Sequence, residues 1–139
     1  MKISTKVRYG IRAMIEIGKE NSGKGVFQKD ISINQQISLK YLDQIIYGLK
    51  VAGLIINVKG KKSGYLISRP ANEITMYDIH NAFEPNISVV ECINGNYNCK
   101  LDKYCSAKNF WHGLNFLIIN YFQSFTLQQM IENNVSKIA

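Results

Sequence analysis

Residues 38–68 constrain the fold more tightly than any other stretch of the chain. Ser38 is followed by Leu39, Leu42, Ile45, Ile46 and Leu49, a spacing that lays all five side chains along one helical stripe. Ser38 has the chemistry of an N-cap, and Gly53 can end the helix in the left-handed conformation. Two β-prone runs follow, residues 54–58 and 65–68, around the basic loop Lys59-Gly60-Lys61-Lys62-Ser63-Gly64. That arrangement is a hairpin signal. Upstream, residues 27–34 predict a short helix with Phe27, Ile31 and Ile33 about one turn apart, and residues 35–37 a tight link. Helix, turn, helix and a two-stranded ribbon with a basic tip make a winged helix-turn-helix.

The flanking segments extend a mainly α fold with this small β-hairpin wing. Residues 3–20 predict a first helix, with Val7, Ile11, Met14, Ile15 and Gly18 on its apolar side. Thr75-Met76-Tyr77-Asp78 has capping-box form and opens a helix through Phe83, which Glu84-Pro85 ends. Residues 86–105 carry no lasting periodicity. Ser106 is the expected cap of a long final helix with Phe110, Trp111, Leu114, Leu117, Ile118, Tyr121 and Phe125 on one stripe, and residues 126–133 predict one more short helix. So much aromatic surface suits packing against a second chain, with ordinary core packing as the alternative. The 139 residues thus divide into a winged helix-turn-helix DNA-binding domain, 1–70, and a region, 71–139, holding a loop at about 86–105 and dimerisation helices. No apolar run is long enough to span a membrane, and the N-terminus lacks an apolar signal core, so a cytoplasmic protein with no membrane partner is expected.

Charge is divided unevenly between these halves. Residues 1–70 hold 13 Lys and Arg against 4 Asp and Glu, whereas residues 71–139 hold 4 Lys against 6 Asp and Glu. A basic half joined to a mildly acidic one points to a polyanion-binding face beside a module with another task. On the helix from residue 39 to 52, the side opposite the apolar stripe carries Lys40, Tyr41, Asp43, Gln44 and Tyr47. A helix that enters the major groove of double-stranded DNA needs such polar side chains near its start. Gln44 can pair with adenine in the bidentate manner, and Asp43 can accept from a cytosine amino group while repelling phosphates. Lys59, Lys61 and Lys62 can meet phosphates or the minor groove, and Arg8 and Arg12 are further phosphate candidates. Taken singly, each charge also fits a solvated surface.

Cys92, Cys99 and Cys105 form a Cys-x6-Cys-x5-Cys group. Three thiols clustered in one loop are soft ligands able to close around zinc or an iron–sulfur cluster, and metal-free thiols open to oxidation are a further option. The usual zinc spacings, with Cys-x2-Cys or His-x3-His, are absent. His112 is a poor fourth ligand because two helical turns set it roughly 10 Å along the axis from Cys105. His80, on another helix, is poorer still, and Asp102 inside the loop is geometrically open.

These residues also carry a resemblance. Met1 to Met14 resembles the N-terminal signature of the Rrf2 (Rrf-two) family of bacterial regulators, Ile37 to Ile45 its recognition helix, and Lys59 to Tyr65 its wing. The similarity runs on through Asp78-Ile79 and the cysteine loop. It implies a homodimer with a long C-terminal dimerisation helix and a palindromic operator; a transcriptional repressor is the expected form, with the sign of regulation left open. The expected DNA contacts are Arg8, Ser38, Lys40, Tyr41, Asp43, Gln44, Lys59, Lys61 and Lys62. The resemblance also implies an iron–sulfur cluster, [2Fe–2S] or [4Fe–4S], on Cys92, Cys99 and Cys105. One branch of the family completes its cluster with a His where this chain has Lys108. Another uses an acidic residue of the second subunit, where this chain has Arg8. A protonated lysine or arginine has no lone pair to give, so the fourth ligand is left open. A third branch regulates cysteine metabolism.

Two other readings stand beside a cluster-switched regulator: a metal-free thiol or cysteine-metabolism regulator of the same fold, and an iron–sulfur or metal carrier whose basic half docks an acidic protein. Catalysis is not expected, since there is no His–carboxylate pair motif, glycine-rich phosphate loop or nucleophile elbow.

Overall fold

The computed structural model describes residues 1–59, 64–95 and 98–132. Six helices and one hairpin follow in order: α1 Thr5–Gly18, α2 Gln28–Gln35, α3 Leu39–Val51, β1 Ile55–Asn57, β2 Tyr65–Ile67, α4 Met76–Phe83, α5 Lys108–Ser124 and α6 Leu127–Ile131. Short 3-10 turns cover Ala71–Glu73 and Glu91–Ile93.

Local chemistry sets most of the boundaries. Ser4 caps α1 by accepting from the Val7 N–H, and Ser38 caps α3 by accepting from the Tyr41 N–H, both at 3.2 Å. Thr75 and Asp78 form the expected capping box of α4, and Thr126 with Gln129 forms a second one at α6. Gly53, at φ +74°, turns the chain out of α3 as predicted. Gln36 takes the same left-handed conformation after α2, at φ 53°, which makes residues 35–37 a sharp corner between the two helices. The hairpin pairs Ile55 with Ile67, Ile56 with Leu66 and Asn57 with Tyr65. Val26 joins its edge through two backbone bonds with Tyr65, at 2.8 and 2.9 Å.

Several expectations shift. The buried side of α1 is Val7, Gly10, Ala13, Met14 and Ile17; Ile11 and Ile15 are only half-buried, because the smaller residues let α1 approach its neighbours more closely. In α2 only Ile31 is buried, while Phe27 and Ile33 are exposed, as is Leu39 at the start of α3. Ser106 does not cap α5: the helix begins at Lys108 after Ala107, with no side-chain cap. The last helix is shorter than 126–133, and residue 133 lies outside the described residues.

One core binds these elements. Leu42, Ile45, Ile46 and Leu49 of α3 meet Met14 and Ile17 of α1, Ile74, Met76 and Ile79 around α4, and Leu127 of α6. α6 reaches this core because residues 74–76 pair with 125–127: Met76 N–H donates to Phe125 O and Leu127 N–H to Ile74 O. The tightest point is Phe83. A Cβ on Gly10 would lie 2.3 Å from its ring, and one on Gly48 2.6 Å. The ring is therefore lodged between α1 and α3 in a slot that two glycines keep open. α5 differs from the other helices, since none of its residues is buried.

Gly48→Ala is expected to lose about 1–3 kcal/mol through overpacking, despite a helix-propensity gain of about 1 kcal/mol. Thermal unfolding checks this: the loss should shrink when Phe83→Leu is already present. Equal losses in both backgrounds would show that the ring is not the obstacle.

Candidate nucleic-acid interface and cysteine site

α3 is held by its apolar side, so its opposite side faces solvent. Lys40, Asp43, Gln44 and Tyr47 are exposed there. The side chains of Lys40 and Gln44 make no hydrogen bond to another described residue. Asp43 accepts a short hydrogen bond from Gln28 Nε2, whose amide also reaches Leu39 O at 3.4 Å. Gln28 thus joins the polar side of α3 to the first turn of α2, a contact that no periodicity signals. Tyr41 turns away from this side: it is half-buried, edge-on to Tyr9 of α1 with ring centroids 5.5 Å apart. Ser38 is spent on its cap but remains exposed.

Of the other basic candidates, Arg8 is exposed and donates to Thr5 Oγ1 at 3.0 Å. Arg12 is not a free cation. Its guanidinium donates to Gln35 O and to Gln35 Oε1, and lies 4.9 Å from the Tyr9 ring centroid. Gln35 in turn donates to Glu16 Oε1 at 2.7 Å. This network pins the C-terminus of α2 to α1, so Arg12 positions the helix pair. Lys59 is exposed at the edge of the hairpin; Lys61 and Lys62 lie outside the described residues.

The three cysteines come together. Cys92, Cys99 and Cys105 are half-buried free thiols and line one small cavity with Asp102 and Lys108. Its volume of about 20 Å³ is close to that of a single water site. Among the described residues, no three His, Cys, Asp or Glu side chains converge closely enough to hold a metal ion. Lys108 Nζ meets Asp102 Oδ1 at 2.5 Å. That hydrogen bond from Lys108 to Asp102, followed by the nearby charges of Asp102, Cys105 and Cys92, holds the ammonium above its usual range. His112 is exposed and does not line the cavity.

The loop is fastened to α5 by Asn115, which accepts from Val89 N–H at 2.9 Å and donates to Ile87 O at 3.0 Å. His80 is buried on α4 against the Phe122 ring of α5, with centroids 5.2 Å apart. Burial pushes its imidazole below the usual histidine range, and Glu84, 3.7 Å away, pulls partly back.

A helix pair with an exposed polar second helix, a flanking hairpin, and a thiol-lined loop on a separate long helix define a winged-helix regulator. The chain belongs to the Rrf2 family, described as an iron-dependent transcriptional regulator, which it matches over residues 3–133. The transcriptional regulator IscR of Photobacterium profundum is 31% identical over 140 residues, covering 100% of this chain and 81% of that one. Among solved structures, CymR of B. subtilis, described as its global cysteine regulator, superposes with a TM-score of 0.78 at 29% identity, covering 96% and 98% of the two chains. IscR of T. potens superposes at 0.77 and 28% identity, covering 96% and 88%. The family and these relatives are transcriptional regulators, not enzymes. Among the described residues no helix is long and apolar enough to cross a membrane.

Because the folded state binds a proton at His80 less readily than the unfolded chain does, stability is full above the ordinary histidine value of 6.5. It falls as pH drops from there toward the lowered folded value. The melting temperature should therefore decline between about pH 7.5 and 5.5, and His80→Leu should flatten that slope. An unchanged slope in the variant would assign the pH dependence to other groups.

Proposed function

We propose that this chain is a homodimeric repressor that binds a palindromic double-stranded DNA operator in the cytoplasm, its grip modulated by an iron–sulfur cluster on Cys92, Cys99 and Cys105. The observation that carries the DNA reading is the outward side of α3. Lys40 and Gln44 stand exposed and uncommitted on a helix whose other side is buried. Gln44 is the side chain suited to adenine, Lys40 to a guanine edge or phosphate, and Lys59 with Lys61 and Lys62 to the flanking backbone. Arg8 and the exposed hydroxyl of Ser38 add phosphate contacts. Asp43, through Gln28, restricts which base edge is accepted, and Tyr41 supports the helix from behind.

Dimerisation is supported by α5. Phe110, Phe116, Leu117 and Tyr121 are between 59% and 66% exposed, a large apolar surface for one helix to leave in water. A second copy packed there presents two recognition helices to half-sites one turn of DNA apart, ~34–36 Å.

The donor set at the cysteine cavity fits an iron–sulfur cluster. Three soft thiols line one space, and ligands on different irons of a cluster stand further apart than ligands sharing a single ion. A bound cluster supplies a linkage among the three thiols that responds to iron and oxidants. Its loss or gain reshapes residues 92–105, and Asn115 passes that change to α5 and so to the spacing of the two α3 helices. One observation favours a metal-free thiol switch as the second reading: Cys92, Cys99 and Cys105 are free thiols that line one small cavity.

Operator duplexes selected from a random pool test the DNA reading. The protein is expected to bind them as two chains per duplex, with affinity falling steeply with salt. Gln44→Ala should cost about 1–3 kcal/mol, roughly 5- to 150-fold, at one position of each half-site. Equal affinity for selected and random duplexes would refute operator recognition.

A further inference from the structure

Among the described residues, Asp102 and Lys108 line the cysteine cavity besides the thiols. Backbone bonds place them there. The Asp102 N–H donates to Cys99 O at 3.1 Å, and the Lys108 N–H to Cys105 O at 3.4 Å. Asp102 lies three residues from Cys99 and three from Cys105, so it cannot leave the thiols without carrying the loop with it. Its carboxylate is 51% exposed and bonded to Lys108 Nζ at 2.5 Å. A protonated amine has no lone pair, whereas a carboxylate keeps several. Among the described residues lining the cavity, Asp102 is the one non-thiol group that can therefore donate to iron.

We propose that Asp102 is the fourth protein ligand of the cluster, and that Lys108 is a positioning residue that holds the Asp102 carboxylate beside the thiols until it ligates. This deepens the iron–sulfur reading and rests on it. An ion pair this open to solvent is weakly held, so it gives way when the carboxylate turns to the metal. An oxygen ligand is also harder than thiolate, which makes this the labile corner of the set. Lys108 is the first residue of α5. Its release leaves a cation at the positive end of a helix dipole without its counter-charge, so ligation by Asp102 registers directly at the start of the proposed dimer helix.

The test is anaerobic reconstitution of the full chain with ferrous iron and sulfide, for the wild type and for Asp102→Ala, Asp102→Cys and Lys108→Ala. Iron and sulfide per chain, visible absorption and circular dichroism, and the rate of bleaching by a chelator are measured. Asp102→Ala should bleach at least about tenfold faster than wild type or load poorly. Asp102→Cys should load fully, with a spectrum shifted toward all-thiolate ligation and slower bleaching. Lys108→Ala should keep the wild-type spectrum. If Asp102→Ala matches wild type in spectrum and bleaching rate, the assignment is overturned. An Asp102→Cys spectrum identical to wild type overturns it as well, even if the alanine variant does not fold. A wild-type protein that takes up neither iron nor sulfide overturns both this assignment and the cluster reading beneath it; wild type and Asp102→Ala that load alike and bleach at the same rate overturn the assignment alone.

Discussion

The seating of α3 on α1 and α4 is the contact on which the rest depends. Leu42, Ile45, Ile46 and Leu49 are buried, each contributing about 1.5–3 kcal/mol if fully removed from water. The Phe83 ring, held between Gly10 and Gly48, sets how near α1 and α3 can come. With the inner side of α3 committed in this way, Lys40, Gln44 and Tyr47 have nowhere to point but outward. The Arg12–Gln35–Glu16 network and the Gln28–Asp43 bond then fix α2 against both neighbours. The exposed polar side is a consequence of core packing.

The same core ties the two ends of the chain together. α6 packs on α1, where Gly18 lies against Ile131 and Leu127, and the strand-like pairing of residues 74–76 with 125–127 delivers the end of α5 to the base of the helix-turn-helix. The cysteine loop is attached at the other end of α5, through Lys108 and Asn115. α5 is thus fastened at its start to the thiols and at its finish to the core behind α3, while its middle is open to a partner. Packed contacts therefore run from the thiol loop along α5 to the core behind α3, and the proposed regulation uses them.

What could be read from sequence was what is local. The Ser38 cap, the Gly53 exit, the Thr75–Asp78 capping box and the hairpin follow from residues a few positions apart, and the structure has them. Most of the features that differ depend on contacts distant in sequence. Gly10, Ala13 and Ile17 form the buried side of α1 because Phe83 and α6 demand close approach, and a hydrophobic scale undervalues small residues. Arg12 and Asp43 looked like free charges because their partners, Gln35 and Gln28, sit on another helix. Ser106 looked like a cap although Ala107 occupies that place. At the cysteine site the spacing identified the thiols, but only folding showed that Asp102 and Lys108 share their cavity and that His112 does not.

The central claim is that thiol chemistry at residues 92–105 governs the hold of α3 on DNA. Its most direct test is the affinity for one operator duplex, measured anaerobically at fixed salt, for iron–sulfur-loaded protein and for the same protein after the cluster is removed. At least about a fivefold difference is expected, abolished in Cys92→Ala. Equal affinities in the two states, with loading verified by iron and sulfide content, would contradict it.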